Sequence, residues 1–178
     1  MSRIGRKPVL IPPGVEVKAE GQRISVKGPR GTLTRSVASG ITVSLDNGQV
    51  KVARVSDGRH QRALHGLVRS EIRNMVQGVT NGFERVLEIS GVGFKATLAG
   101  RALNFSLGYS HPIVFPLPDG IEAKVEKQTL VTIRGFDRSL VGQTAAEIRR
   151  LRPPDVYKAK GIKYANEVLI RKEGKTGK

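Results

Sequence analysis

The chain has 178 residues, and its 31 Lys and Arg against 15 Asp and Glu give a formal net charge of +16 at pH 7. An excess of this size opposes compaction and usually accompanies a polyanionic partner, most often nucleic acid. The sequence has no cysteine, no apolar run near the ~20 residues that cross a bilayer and no signal-peptide core at its start. These features exclude disulfides and thiolate metal sites, and we expect a cytoplasmic protein with no membrane contact and no cofactor.

The first half of the chain begins with short segments in which apolar and polar residues alternate. This pattern predicts half-buried strands at 15–18, 24–27, 41–45 and 50–52. Turn signals lie between them, at Gly28-Pro-Arg-Gly31 and Asp46-Asn-Gly48.

A helix is predicted next, because apolar residues recur at spacings of three and four. The stripe consists of Leu64, Leu67, Val68, Ile72, Met75, Val76 and Val79. Polar side chains lie on the other faces, namely Arg62, Arg69, Arg73 and Gln77. Ser56 or Asp57 is expected to cap the start, and Gly78 or Gly82 to end the helix.

The second half repeats this order. Strands are predicted at 94–98, 103–107 and 131–133, with a turn at Pro118-Asp-Gly120. A helix follows Asp137, with Val141, Ala145 and Ile148 as its apolar stripe and Leu140, Thr144 and Leu151 beside it. Pro153-Pro154 must end it, because proline donates no N–H.

Strands outnumber helices, and each helix comes late in its half, which favours an α+β fold with antiparallel sheets. Pairs of similar residues recur at an offset of about 80, including Ile24 with Phe105, Ile41 with Ile121 and Asp57 with Asp137; Glu71-Ile-Arg73 and Glu147-Ile-Arg149 recur at an offset of 76. We predict two tandem duplicated domains, 1–82 with a basic N-terminal arm and 83–178 with a basic loop and tail. The alternative is that two β-rich halves share turns by chance.

The positive charge is unevenly distributed. Residues 1–82 hold 14 basic and 5 acidic residues, residues 83–148 hold 7 of each, and residues 149–178 hold 10 against 3. The second domain thus resembles a neutral scaffold with a charged C-terminal segment. We interpret this segment as a nucleic-acid contact, although a solvated basic face is the simpler alternative.

The segment that follows Pro153-Pro154 carries the sharpest motif, Tyr157-Lys-Ala-Lys-Gly161, with Lys163 just beyond it. Lys158, Lys160 and Lys163 offer ammonium groups to phosphates, which indicates recognition of the RNA backbone rather than of base edges. Tyr157 either stacks on RNA or packs under the loop. Gly161 either allows close approach of RNA or serves a turn.

This motif resembles the signature of the bacterial form of the large-subunit ribosomal protein L6 family. Similar stretches occur in the family's order at 2–8, 11–15, 26–33, 91–96 and 107–112, and the departures are the Leu169-Ile170 pair and the length of the tail. The resemblance implies a duplicated α+β fold bound to large-subunit rRNA, chiefly through the C-terminal domain. It also implies a place near the sarcin-ricin loop and the stalk base, beside neighbouring large-subunit and stalk-base proteins, where translation factors dock. No homo-oligomer is expected.

Taken together, charge and resemblance give the expected RNA contacts: Lys95, Ser110, His111, Arg149, Arg150, Arg152, Tyr157, Lys158, Lys160, Lys163, Arg171, Lys172 and Lys175. Secondary candidates lie in the first domain: Arg3, Arg6, Lys7, Arg69 and Arg73.

Enzymatic alternatives find little support in the sequence. Gly91-Val-Gly-Phe-Lys-Ala96 lacks the spacing of a phosphate-binding loop, and a turn is the better interpretation. His60 and His65 are five residues apart without a third zinc ligand nearby, and the acidic residues are scattered singly. We predict a non-enzymatic protein without a metal site. A nucleic-acid chaperone, a DNA-binding protein or a small RNA-modifying enzyme is the remaining alternative.

Overall fold

The computed structural model describes residues 4–174. The chain forms two compact units, one made of Met1–Gly82 with Phe136–Arg138, the other of Phe83–Gly135 with Ser139–Lys178. The predicted division at Gly82 therefore differs from these units only in the short stretch Phe136–Arg138.

The first unit consists of two three-stranded antiparallel sheets and one helix. One sheet has the strand order β2-β3-β4 and the other β1-β6-β5. The elements are β1 (Val9–Leu10), β2 (Glu16–Glu20), β3 (Arg23–Gly28), β4 (Gly31–Ser36), β5 (Ile41–Asp46), β6 (Gln49–Arg54) and α1 (Arg59–Thr80).

The core of the first unit is formed by α1 and the inner faces of both sheets. Ile24 and Val26 alternate along β3 with exposed or half-buried residues, and Val50 is fully buried on β6. On α1 the buried positions include Val68, Ile72, Met75, Val76 and Val79, as the predicted apolar stripe requires.

Two details of α1 differ from the sequence prediction, and a third decides between the two glycines that were expected to end the helix. Leu67 is 53% exposed, so it lies outside the stripe and its assignment to the core was wrong. Gly58 is the N-cap and no side chain caps the helix, because the Asp57 carboxylate accepts a hydrogen bond from Arg54 Nε at 2.7 Å instead. Gly82, with φ of 77°, follows the last turn and donates its N–H to Gly78 O at 2.9 Å, while Gly78 is buried inside the helix.

The second unit repeats this arrangement and adds one strand. Its sheets have the orders β10-β9-β8 and β11-β12-β7-β13. The elements are β7 (Phe83–Ser90), β8 (Lys95–Ala99), β9 (Ala102–Ser106), β10 (Ile113–Pro116), β11 (Ile121–Glu126), β12 (Leu130–Gly135), α2 (Arg138–Leu151) and β13 (Gly161–Tyr164). The core holds Phe105, Leu87, Ile133 and Ile148, with Val141 and Ala145 of the predicted α2 stripe.

The duplicated α+β class is confirmed, because β1-β6-β5 and β7-β12-β11 have the same order, as do β2-β3-β4 and β8-β9-β10. The hairpins correct one detail of the alignment. Glu20 pairs with Arg23 and Ala99 pairs with Ala102, so Ile24 corresponds to Leu103 rather than to Phe105. Both Ile24 and Leu103 are buried, and a slip of two residues keeps the same face of the strand inside.

Candidate nucleic-acid interface

The extra strand of the second unit comes from the basic C-terminal segment. β13 pairs antiparallel with the outer edge of β7, with Lys163 opposite Glu88 and Tyr164 opposite Leu87. Ile162 at its centre is fully buried, and its N–H donates to Arg152 O at 2.8 Å. The segment that was predicted as a loop therefore contributes a strand to the core sheet, and only residues 153–160 form a true loop, here called the lysine loop.

The lysine loop is held in shape by its own backbone and by Asp155. The main-chain N–H of Asp155 donates to Lys160 O at 2.9 Å, and that of Ala159 donates to Asp155 O at 3.0 Å. The Asp155 carboxylate accepts hydrogen bonds from the N–H groups of Lys158, at 3.0 Å, and Tyr157, at 3.2 Å. These bonds, foremost that from Lys158, hold the pKa of the Asp155 carboxyl below its ordinary value.

Two positive φ angles close the lysine loop. Ala159 has φ of 57° and is buried, while Gly161 has φ of 143°. A Cβ on Gly161 would lie 2.6 Å from Pro153 O and 2.7 Å from Arg152 O. The glycine is thus required by the close approach of two main-chain segments, which supports the turn interpretation of this residue.

A second loop lies against the lysine loop. It comprises residues 107–112, here called the tyrosine loop, and it joins β9 to β10, whereas the equivalent strands β3 and β4 are joined by only Pro29-Arg30. Tyr109 Oη donates to Leu151 O at 3.0 Å, and the guanidinium carbon of Arg152 lies 5.0 Å from the centre of the Tyr109 ring. The centre of the Phe94 ring lies 6.0 Å from the same guanidinium carbon.

Arg152 therefore joins three stretches that the sequence analysis treated separately: the glycine-rich turn before β8, the tyrosine loop and the lysine loop. Together with Tyr109, it lines a shallow cleft with Pro153, Asp155 and Lys160. Tyr109 and Phe94 were missed as site residues. The signal was present in the length of the tyrosine loop, since a hairpin needs far fewer residues.

Most of the predicted contacts in the second unit carry exposed side chains. Tyr157 is 54% exposed, which favours its stacking role over packing beneath the loop. The other exposed members of the set are Lys95, Ser110, His111, Arg150, Lys158, Lys160, Arg171 and Lys172. The tail returns alongside the lysine loop, because the Lys172 N–H donates to Val156 O at 2.9 Å.

Two predicted contacts are already neutralised within the unit. Arg149 donates from Nε to Glu167 Oε2 at 2.9 Å and from a second nitrogen to Glu167 Oε1, and it lies 5.8 Å from the Tyr164 ring. Lys163 Nζ lies 2.9 Å from Glu88 Oε2. Hydrogen bonding to Glu167 raises the pKa of Arg149, and the same pair lowers the pKa of the Glu167 carboxyl. These two cations fasten β13 and the turn after it.

The remaining predicted contacts lie in the first unit or outside the described residues. Arg3 and Lys175 fall outside residues 4–174. Arg6, Lys7 and Arg73 are exposed. Arg69 is half-buried and donates to the main-chain oxygens of Lys7, at 3.0 Å, and Pro8, at 3.4 Å.

One of the three histidines, His65, is part of the core of the first unit. His65 is buried, with Nε2 2.9 Å from Val52 O and Nδ1 2.9 Å from an Arg54 nitrogen. This arrangement fits a neutral imidazole that donates from Nε2 and accepts at Nδ1. No cluster of three or more metal-ligating side chains occurs within residues 4–174. None of the helices in that range is long and apolar enough to cross a bilayer.

Comparison with known proteins agrees with this architecture. A family model described as ribosomal protein L6 matches residues 11–82 and 90–165, one stretch in each repeat. The chain is 53% identical to the large ribosomal subunit protein uL6 of Geotalea daltonii over 178 residues, covering 100% of this chain and 99% of that protein. Identity is 51% to the uL6 protein of Geobacter sulfurreducens (100% and 99% covered) and 51% to that of Carboxydothermus hydrogenoformans (99% and 97% covered).

These matches define a ribosomal structural protein built from two copies of one α+β domain. The chain belongs to the ribosomal protein L6 family, which confirms the resemblance found in the sequence. Its non-enzymatic character follows from that membership.

Proposed function

We propose that this protein, as a structural component of the large ribosomal subunit, binds large-subunit rRNA through the tyrosine and lysine loops of its second unit. As part of the ribosome it lies in the cytoplasm of a bacterial cell. The observation that carries the proposal is the placement of Arg152 between the Tyr109 ring and the lysine loop. The guanidinium lies against the Tyr109 ring, and Arg152 lines one cleft with that tyrosine and with Asp155 and Lys160 of the lysine loop.

The chemistry of this surface favours contact with the RNA backbone. Lys158 and Lys160 extend exposed side chains from a loop whose backbone is fixed by Asp155 and Gly161. Lysine acts as a point charge and does not read the planar pattern of a base pair. A rigid, lysine-rich loop is therefore suited to follow the shape and phosphate path of folded rRNA.

The proposal divides the predicted contacts into two groups. The predicted contacts with exposed side chains bind RNA: Lys95, Ser110, His111, Arg150, Tyr157, Lys158, Lys160, Arg171 and Lys172. Arg149 and Lys163 stabilise the second unit and do not contact RNA directly, because each is ion-paired to a carboxylate. Arg152 acts in both ways, since its guanidinium orders the cleft and lines it. Arg6 and Lys7 remain secondary candidates for RNA, whereas Arg69 and Arg73 line a groove that suits another ligand.

Family membership supports a finer placement of this interface. We propose that the rRNA partner lies near the sarcin-ricin loop and the stalk base, with neighbouring large-subunit and stalk-base proteins, and that translation factors dock nearby. Directed hydroxyl-radical cleavage from iron chelates attached at Ser110 and at Val156 tests this placement. Cleavage of the same rRNA helices from both sites supports it, and cleavage elsewhere in the subunit contradicts it.

Deletion of residues 149–178 is an unsuitable test of the interface, because it removes β13 and the fully buried Ile162. Charge-neutralising substitutions keep the strand. We expect Lys158→Gln with Lys160→Gln to weaken binding of the full chain to large-subunit rRNA in a filter assay. The matched control is Lys124→Gln with Lys127→Gln, exposed lysines on β11 and the turn after it. Equal losses in the two double variants would contradict the proposal.

A free-standing nucleic-acid chaperone would share the charge but not the location. Sedimentation after a high-salt wash separates the two, because a structural component stays in the large subunit in stoichiometric amount. Release of the protein into the free fraction would favour the chaperone.

A further inference from the structure

The first unit has an open sheet edge where the second unit has β13. β1 corresponds to β7, since each is the neighbour of the strand that pairs in a hairpin with β5 or β11. In the second unit β13 covers the outer edge of β7. In the first unit no strand among residues 4–174 pairs with the outer edge of β1.

A groove runs along this open edge, between β1 and helix α1. Its walls include Lys7, Leu10 and Pro12 on one side and Arg69, Arg73 and Gln77 on the other. At the corresponding place in the second unit lies β13, whose Ile162 is fully buried and donates its N–H to Arg152 O just after α2.

Helices α1 and α2 have an arginine at equivalent positions, namely Arg73 and Arg149. Ile72 and Ile148 are both buried in the core, and each is followed by an arginine. Arg149 is satisfied by Glu167, which lies just after β13 in the chain. Arg73 is exposed, lines the groove and has no carboxylate within ion-pair distance among the described residues.

We propose that the groove of the first unit binds an extended, acidic segment of a neighbouring protein, which adds to the edge of β1 and places a carboxylate on Arg73. The second unit supplies the template for this complex within the same molecule, in β13 and Glu167. The proposal does not rest on the RNA-binding surface, which lies in the other unit.

The backbone of β1 limits how the segment is held. Val9 and Ile11 point their hydrogen-bonding groups toward β6, since the Ile11 N–H donates to Gly48 O at 2.9 Å and pairing alternates along an antiparallel strand. The outward positions are therefore Pro8, Leu10 and Pro12, and only Leu10 has an N–H to donate. Prolines of this kind protect an edge from indiscriminate strand pairing.

The main chain thus offers the segment one pair of hydrogen bonds at Leu10, and side chains must provide the rest of the affinity. Arg69 adds a second positive charge to the groove, although its donors are used by Lys7 O and Pro8 O. Burial and the nearby charge of Arg73 both lower the pKa of Arg69. An alternating apolar and acidic segment fits these walls.

The test uses the full chain labelled with ¹⁵N and a capped synthetic heptapeptide, Thr-Glu-Ile-Glu-Val-Glu-Thr. We expect saturable shifts of the Leu10 amide signal and weaker shifts with a peptide in which Gln replaces each Glu. Arg73→Gln should weaken binding of the acidic peptide roughly fivefold, as for an exposed ion pair. Arg62→Gln is the matched control, an exposed arginine on α1 that does not line the groove.

A second variant tests strand addition itself. Leu10→Pro removes the one outward N–H without breaking a hydrogen bond to β6, so thermal unfolding should change little while peptide binding is lost. Unchanged binding by Leu10→Pro, equal effects of Arg73→Gln and Arg62→Gln, or the absence of saturable shifts would overturn the proposal. Tighter binding of a short oligouridylate than of the acidic peptide to the same amides would also overturn it and make the groove an RNA site.

Discussion

Tyr109 Oη donates a hydrogen bond to the main-chain oxygen of Leu151, 3.0 Å away and 42 residues later in the chain. The bond joins the tyrosine loop to the last residue of α2, and Arg152 lies against the same ring. The position of the lysine loop is thereby tied to the core through a tyrosine that is itself 43% exposed.

Tyr109→Phe should lower the free energy of unfolding by about 1 kcal/mol, because one hydrogen bond is lost while the ring stays against Arg152. Urea titration of the two proteins measures this difference. Tyr157→Phe is the control, since its ring is 54% exposed and its hydroxyl makes no hydrogen bond within residues 4–174. A similar cost for both variants would mean that the Tyr109 bond contributes nothing specific.

Gly161→Ala should destabilise the second unit by about 2–4 kcal/mol, from backbone strain and overpacking together. The added Cβ would lie 2.6 Å from Pro153 O, and φ is 143°. Gly142→Ala should have the opposite sign, because Gly142 is inside α2 with nothing within 4 Å of its Cβ position. Alanine there should stabilise by about 0.5–1 kcal/mol. Both values come from urea unfolding, and equal signs would refute the account of Gly161.

Ile72→Ala should cost about 2–5 kcal/mol by opening a cavity, since Ile72 is 1% exposed in the core. Leu67→Ala, on the same helix, should cost about 1 kcal/mol or less, because the side chain is 53% exposed. The comparison holds helix propensity and residue size nearly constant. A larger loss for Leu67→Ala would contradict the assigned faces of α1.

Lys158→Ala with Lys160→Ala should flatten the dependence of log affinity on log salt by about 2, at about 0.9 per phosphate contact. Lys163→Ala should leave the slope unchanged, because its ammonium is paired with Glu88 at 2.9 Å. Salt titrations on the same large-subunit rRNA fragment give the three slopes. The loss should also be alike for fragments with altered paired bases, and a loss confined to one sequence would indicate base recognition.

The Arg149–Glu167 pair should make stability depend on pH in the acid range. Its hydrogen bond holds the pKa of Glu167 below the ordinary value of 4.5. A carboxyl of lowered pKa contributes stability that is complete above its unfolded pKa and is lost as the pH falls through the folded pKa. The difference in free energy of unfolding between wild type and Glu167→Gln should therefore be constant above the unfolded pKa of the carboxyl and should shrink as the pH falls below it.

Urea unfolding followed through the amide signals of β13 measures this difference at each pH. Glu173→Gln is the control, an exposed tail carboxylate without an ion pair among the described residues. If Glu173→Gln reproduces the pH dependence, the effect belongs to net charge and not to the pair.

The elements that the sequence predicted are those whose local pattern and tertiary role agree. The α1 stripe and the alternating strand β3 belong to this group, because their buried residues recur with the period of the element. Strands β5 and β12 were predicted from the same alternation of residue types, although β5 buries only Ile41 and β12 buries three consecutive residues. β4 was missed, since its exposed face carries threonine and arginine and only Leu33 packs on the core. β13 was missed because Lys163 and Tyr164 made a core strand look like a continuation of the basic loop.

The residue types of the proposed site could be predicted from the sequence, but their arrangement could not. Exposed lysines in the C-terminal segment follow from its charge, and Lys158 and Lys160 lie where that charge indicates. Their distinction from Lys163 depends on which residue faces Glu88 across a strand pair, and that register is tertiary information. The role of Tyr109 depends likewise on a carbonyl 42 residues away.

The anchoring of the lysine loop also bears on how fast the protein finds its RNA. Its ends are fixed by the Ile162–Arg152 and Asp155–Lys160 hydrogen bonds, so the proposed docking of this loop on rRNA requires no prior folding step. The association rate should then follow diffusion steered by the +16 charge, and it should fall steeply with ionic strength. Substitutions among the hydrogen-bonding residues of the cleft should mainly shorten the residence time on RNA. Changes in the association rate and in the residence time are therefore separable when stopped-flow association and dissociation are measured on the same variants.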